Sequence, residues 1–198
     1  FMHKPFDPDC PACQKASLRL APQVRVKSTE LVEDEKATVP GERLYADLCG
    51  QFPNSPMNHK YMFVSLDQAE GLLCLEAMVS KTPAGVAMCM SEWEDTLRQY
   101  RKWRKLPDPK RWKLKTDLGS EFTAPEMIKV LHDTNGLPEY VPKGRHVSKI
   151  ELAIQDACRG IRVLLSQAGL PASFWPFAAR TYAHNKNMQN ENWQAFMR

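Results

Sequence analysis

Between Arg43 and Val79 the apolar residues come in short runs punctuated by turn formers. Arg43 to Gly50 reads as a strand closed by glycine, and Asn54 to His59 supply turn residues. Lys60 to Asp67 reads as a second strand and Gly71 to Val79 as a third. Three strands joined by short turns predict an antiparallel meander. The period then lengthens. Val86, Met90, Trp93, Leu97 and Tyr100 recur at intervals of three and four, which predicts a helix over 83–103, ended by Pro107 and Pro109. Arg111 to Asp117 is a fourth strand. A helix follows from Thr123 to Thr134, with Pro125 early in it and Asn135-Gly136 as its stop. Leu137 to Val141 is a brief fifth strand, 148–168 a long helix and 171–185 another. This order predicts an α/β fold: a mixed five-stranded sheet, an antiparallel three-strand meander plus parallel strands, covered by helices.

Residues 1–40 break from this regularity. They hold several prolines, the pair Cys10 and Cys13, and a charged run from Lys27 to Lys36. They read as a small leader and linker, with 41–187 as the core and 188–198 as a tail. Phe1 in first place predicts a piece of a longer protein. An apolar fraction of 43% suffices for a buried core, and no run is long enough to span a membrane. A net charge of +4 and a pI near 8.7 are a mild basic bias, compatible with nucleic acid as a partner. Apart from Cys10 and Cys13 the cysteines stand singly among apolar residues, which predicts a reducing, intracellular setting and no disulfide framework.

Three acids occupy the ends of these elements. Asp47 lies near the end of the first strand, Asp117 closes the fourth, and Glu151 lies in the first turns of the long helix. Acids on adjacent strand ends converge readily, and a helix can bring a third over them. Such a set suits hard cations such as Mg²⁺ or Mn²⁺, which prefer oxygen ligands. Each acid also has an ordinary reading: a strand-end turn, an Asp-Gly turn, or a favourable charge at a helix start.

The wording of the segments resembles the integrases of retroviruses and long-terminal-repeat retrotransposons. Tyr45-Ala46-Asp47-Leu48-Cys49-Gly50 is similar to the family's first strand, and Tyr61 to Asp67 to its second, which ends in a non-catalytic Asp. Lys115-Thr116-Asp117-Leu118-Gly119-Ser120-Glu121-Phe122 resembles the motif around the second catalytic Asp, and Glu151 follows Asp117 at close to the family's usual interval. Gly169-Leu170-Pro171 leading to Trp175 and Ala178, with Asn185 beyond, resembles the Copia-type elements. The sequence departs from the family at Leu118, where Asn is usual, and at Lys143 to Ile150, which lacks the usual Asn-Gly.

The resemblance covers about 40–187. It implies a ribonuclease H-like core and a metal-dependent polynucleotidyl transferase that processes DNA 3′ ends and transfers strands. Asp47, Asp117 and Glu151 would be its catalytic residues, holding two Mg²⁺ or Mn²⁺ ions. DNA and further copies of the chain would be its partners, and the nucleus its place of action on host DNA. Cys10-Pro11-Ala12-Cys13 has the spacing of a zinc ligand pair and looks like the end of the family's upstream zinc module, which implies Zn²⁺ on Cys10 and Cys13 in the full-length protein.

Basic residues crowd 98–115 among Tyr100, Trp103 and Trp112. Arg101, Lys102, Arg104 and Lys105 are the expected phosphate contacts, with Lys149 beside Glu151; Trp112 alternates within a strand and is expected in the core. Another class of reading is an inactive, domesticated or decayed module of this fold that binds DNA or protein. A third is a ribonuclease H or other nuclease.

Overall fold

A computed structural model describes residues 9–12, 36–141 and 148–198. Five strands form one sheet: β1 (Arg43–Gly50), β2 (Tyr61–Asp67), β3 (Leu73–Met78), β4 (Trp112–Thr116) and β5 (Gly136–Tyr140), in the order β3-β2-β1-β4-β5. β1 pairs antiparallel with β2, and β2 with β3, so the meander forms as its short turns require. β1 pairs parallel with β4, and β4 with β5. Each parallel step contains a helix, since a parallel connection has to cross over the sheet.

The helices are α1 (Pro83–Trp103), α2 (Ser120–Thr123), α3 (Pro125–Asp133), α4 (Ser148–Ala168), α5 (Trp175–Asn187) and α6 (Glu191–Phe196). They cover both faces, and strand alternation sorts the core into two clusters. Leu44, Ala46, Phe63, Trp112 and Leu114 point to the face packed by α1 and α3. Tyr45, Met62, Val64, Leu73 and Leu75 point to the face packed by α4 and α5. Trp112 is therefore core, as its alternation predicts.

Two boundaries differ from the sequence reading. The helix expected over 123–134 is two, because Ala124 is extended (ψ 153°) before Pro125, the conformation a residue preceding proline prefers. The tail expected over 188–198 carries α6, whose Trp193 is buried against Trp93 and Tyr100. Asn190 caps it, accepting from the amide of Trp193 at 3.0 Å.

α5 is fastened to the edge strand. The buried Asn187 amide donates to the carbonyl of Leu73 and accepts from its N–H, both at 2.8 Å. Trp175 stacks on Phe52 at 4.6 Å and donates its indole N–H to the carbonyl of Pro53. α4 and α5 approach closely at Gly160, where an added Cβ would lie 2.0 Å from the Tyr182 ring. Among the described residues no helix is long and apolar enough to cross a membrane.

Candidate metal centre

The parallel register pairs Leu44 with Leu114 and Tyr45 with Lys115. Asp47 lies two residues beyond the last position of β1 paired in this way, and Asp117 two beyond its partner, directly after β4. Both have the parity of Tyr45, so both belong to the face that α4 covers. α4 runs alongside β1 in the same direction. At its start the Lys149 amine donates to the Tyr45 hydroxyl at 3.2 Å, and further on Cys158 packs against the same cluster as Cys49. Glu151 lies two residues past Lys149 on α4, and its charge reaches Asp47.

Electrostatics agree with this placement. The Asp47 carboxyl is held above the ordinary carboxylate range, first by burial and then by the negative charges of Asp117 and Glu151. The Leu48 amide, donating to Asp47 Oδ1 at 2.7 Å, and the Lys81 cation act the other way. Asp117 is exposed, and its Oδ1 accepts from the Gly119 amide at 3.0 Å. Glu151 is half-buried. Among the described residues no three His, Cys, Asp or Glu side chains gather closely enough to ligate one ion. The carboxylates of Asp117 and Glu151 thus act on Asp47 through their charge without forming a closed cage. The donor set fits a hard divalent cation: it is all oxygen, and each Asp uses Oδ1 on its neighbouring amide, leaving Oδ2 for a ligand.

Lys81 was not singled out by the sequence. It follows β3 at the sheet end where Gly50 faces Tyr61, and its amine lies 5.3 Å from the Tyr61 ring centre. A lysine beyond a strand end has no local signature; only the folding of β3 beside β2 brings it near Asp47.

The expected phosphate contacts lie elsewhere. Arg101 is 2% exposed. Its guanidinium bonds Asp108 at 2.9 Å, Glu94 at 3.3 Å and the carbonyl of Pro40 at 3.0 Å. Gly41, with φ +80°, makes room for it, since a Cβ there would meet Nη1 at 2.3 Å. Arg101, an expected phosphate contact, is an interior cation satisfied by acids in this fold. Arg104 is half-buried and paired with Glu70, which also accepts from Tyr100 and Asn190. Lys102 and Lys105 are exposed. This end of α1 packs near Pro40 and Gly41, at the amino end of β1 and on the face away from α4, so it does not adjoin the carboxylates. Lys149 is exposed, with its amine on Tyr45.

Cys10 is half-buried and, with Ala12, packs against Val163 of α4; its expected zinc partner Cys13 lies outside the described residues. Asp67, expected to be non-catalytic, is fully buried and accepts from the amides of Gly41 and Glu70 at 2.7 and 2.8 Å. Burial pushes its carboxyl up to about 6 against the lowering effect of those amides. In a comparison with protein-family models and curated proteins, nothing matches this chain.

Proposed function

We propose that this chain is the catalytic core of a DNA integrase. It would be a metal-dependent polynucleotidyl transferase of ribonuclease H-like architecture, performing 3′-end processing and strand transfer. One observation supports the reading above others: Asp47 lies on β1 and Asp117 directly follows β4, its parallel neighbour, and the negative charges of both Asp117 and Glu151 act on Asp47. The mixed sheet in the order β3-β2-β1-β4-β5 is compatible with that architecture.

Asp47, central to the three, would contribute to both of two Mg²⁺ or Mn²⁺ sites, with Asp117 completing one and Glu151 the other. When bound, two such ions stabilise charge on both the attacking and the leaving oxygen of a phosphoryl displacement. Lys81 would offset the charge of an incoming phosphodiester. Tyr45 would steady the start of α4 through Lys149, and with it Glu151.

The test is Glu151→Gln, which retains shape and removes one charge. DNA processing and strand transfer should fall by a factor on the order of 10²–10³ or more. Mn²⁺ should raise the melting temperature of the wild type and leave the variant nearly unmoved. Near wild-type cutting by Glu151→Gln would exclude Glu151 from the site. The second reading, an inactive module that binds DNA or protein, draws on Leu118, an apolar side chain 52% exposed beside Asp117 where the family carries Asn, and on the open carboxylate set. A wild-type protein with neither activity nor Mn²⁺ stabilisation would favour it.

A further inference from the structure

The segment that leads into the sheet and the helix that carries Glu151 meet at one tyrosine. Tyr45 is fully buried on β1, on the face that α4 packs. Its hydroxyl oxygen accepts from the Lys149 amine at 3.2 Å and from the Gln68 side-chain amide at 2.8 Å, which occupies both lone pairs. The Lys149 amine also lies 5.4 Å from the centre of the Tyr45 ring, adding a cation–π attraction. On its other side Gln68 accepts from the Ala37 amide at 2.8 Å. A backbone N–H can only donate, so this bond fixes the orientation of the Gln68 amide and leaves its nitrogen to face Tyr45. The backbone of Gln68 is held as well, its N–H donating to the carbonyl of Arg43 at 3.0 Å. Ala37 is buried and lies six residues before Arg43, the first residue of β1. Farther back, Ala12 packs against Val163, so the leader also touches α4 directly, near its other end.

We propose that Gln68 is a positioning residue for α4: through Tyr45 and Lys149 it ties the first turn of that helix, and with it Glu151, to the segment that precedes β1. The first turn of a helix frays unless groups outside the helix hold it. Lys149, held at both the hydroxyl and the ring of Tyr45, supplies that restraint, and Glu151 follows it by two residues. A pull that takes Ala37 off Gln68 frees the Gln68 amide to turn, and Tyr45 loses a donor. By reciprocity, a restraint on α4 steadies Ala37. The region before β1 is then a regulatory input to the carboxylates rather than an independent appendage. The relay from Ala37 to Lys149 stands without the proposed function; its consequence for Glu151 as a metal ligand rests on that reading.

Amide hydrogen exchange on the full chain, without metal, tests the relay. Gln68→Met keeps the length of the side chain and removes both of its hydrogen bonds. The amides of Leu152, Ala153 and Ile154 bond the carbonyls of the first turn of α4. In Gln68→Met they should exchange about fivefold to tenfold faster, as should the amide of Ala37, although the Gln68 side chain bonds only Ala37 and Tyr45. Tyr45→Phe should loosen the same four amides. Gln68→Glu should restore them, because a carboxylate still accepts from Ala37 and can accept from the Tyr45 hydroxyl, which then donates. The amides of Tyr182 and Ala183 in α5 are the control and should not change. Unchanged exchange at Leu152 to Ile154 in Gln68→Met overturns the proposal, and so does an equal rise at Tyr182 and Ala183, which marks a general loss of stability. Under the proposed function, Gln68→Met should also weaken Mn²⁺ binding about threefold to tenfold, read from the Mn²⁺ concentration that raises the melting temperature halfway. A variant that binds Mn²⁺ as tightly as a responsive wild type would separate Glu151 from the relay and overturn the proposal. Coupled exchange in a wild type with neither activity nor Mn²⁺ response leaves the relay standing and sinks only the catalytic reading.

Discussion

At the carboxyl end of β1, Asp47 rests one oxygen on the Leu48 amide and senses Asp117 and Glu151, with Lys81 as a cation among the groups acting on it. At the amino end of the same strand, Arg101 has its guanidinium on Glu94, Asp108 and the carbonyl of Pro40, while Arg104 is matched by Glu70. The sequence marks both ends for nucleic-acid chemistry, one by acids and one by bases. In the fold Arg101 and Arg104 are matched by acids, while Asp47 carries the raising fields of Asp117 and Glu151. Like charges held in proximity store a demand for a counter-ion, whereas a buried cation among carboxylates has already met it. Charge density along a chain therefore says less about ligand binding than whether the fold leaves that charge compensated.

The comparison breaks most sharply at Arg101. Arg101→Met should destabilise the protein by about 3–5 kcal/mol, because it strands Glu94 in the interior without a counter-charge. Chemical denaturation measures this, and a loss below about 1 kcal/mol would mean that Arg101 is not the interior group described. Adding Glu94→Gln to that variant should recover part of the loss, since the stranded charge disappears.

Asp67 lies at the same end and gives a pH signature. Its folded carboxyl titrates at about 6, above the ordinary value, so its contribution is fully present below about pH 4 and is lost as pH rises through about 6. The stability advantage of wild type over Asp67→Asn should shrink by an amount on the order of 3 kcal/mol between pH 4 and pH 7. A difference that stays flat with pH would show that the Gly41 and Glu70 amides outweigh burial.

At the carboxylate end, Gly160→Ala tests how closely α4 is seated. The added methyl meets the buried Tyr182 ring, and the overpacking outweighs the gain in helix propensity. A net loss of about 1–2 kcal/mol is expected. Unchanged stability would show that Tyr182 swings aside freely.

The smallest effect belongs to Lys102 and Lys105. Changing both to Gln should alter stability by no more than about 0.5 kcal/mol. If the chain binds DNA as proposed, the slope of its salt dependence should change by less than about one unit. A change near two units would put both lysines on phosphates.

Most of the elements could be read from the sequence because their signals are local. The three- and four-residue recurrence from Val86 to Tyr100 is a helix wherever it lands, and the apolar runs at 43–50 and 60–67 pair because short turns leave them little choice. α6 escaped notice because six residues carry too little periodicity, although Asn190 three residues before Trp193 was a usable capping signal. The places of Asp47, Asp117 and Glu151 at the ends of β1 and β4 and the start of α4 were equally legible. The fate of Arg101 was not, because its partners Pro40 and Asp108 come from loops whose positions no periodicity encodes.

By itself, then, the sequence determined the order of strands and helices, the alternation that sorts their side chains onto two faces, and the acids at their ends, all properties of residues within a few positions of one another. Only the tertiary structure decided that α4 packs beside β1 so that the charge of Glu151 reaches Asp47, that Lys81 comes near the carboxylates, and that Arg101 and Arg104 are satisfied internally. Those outcomes depend on distances between segments far apart in the chain, where burial and the Coulomb field of remote groups set whether a charge needs a ligand or already has a partner.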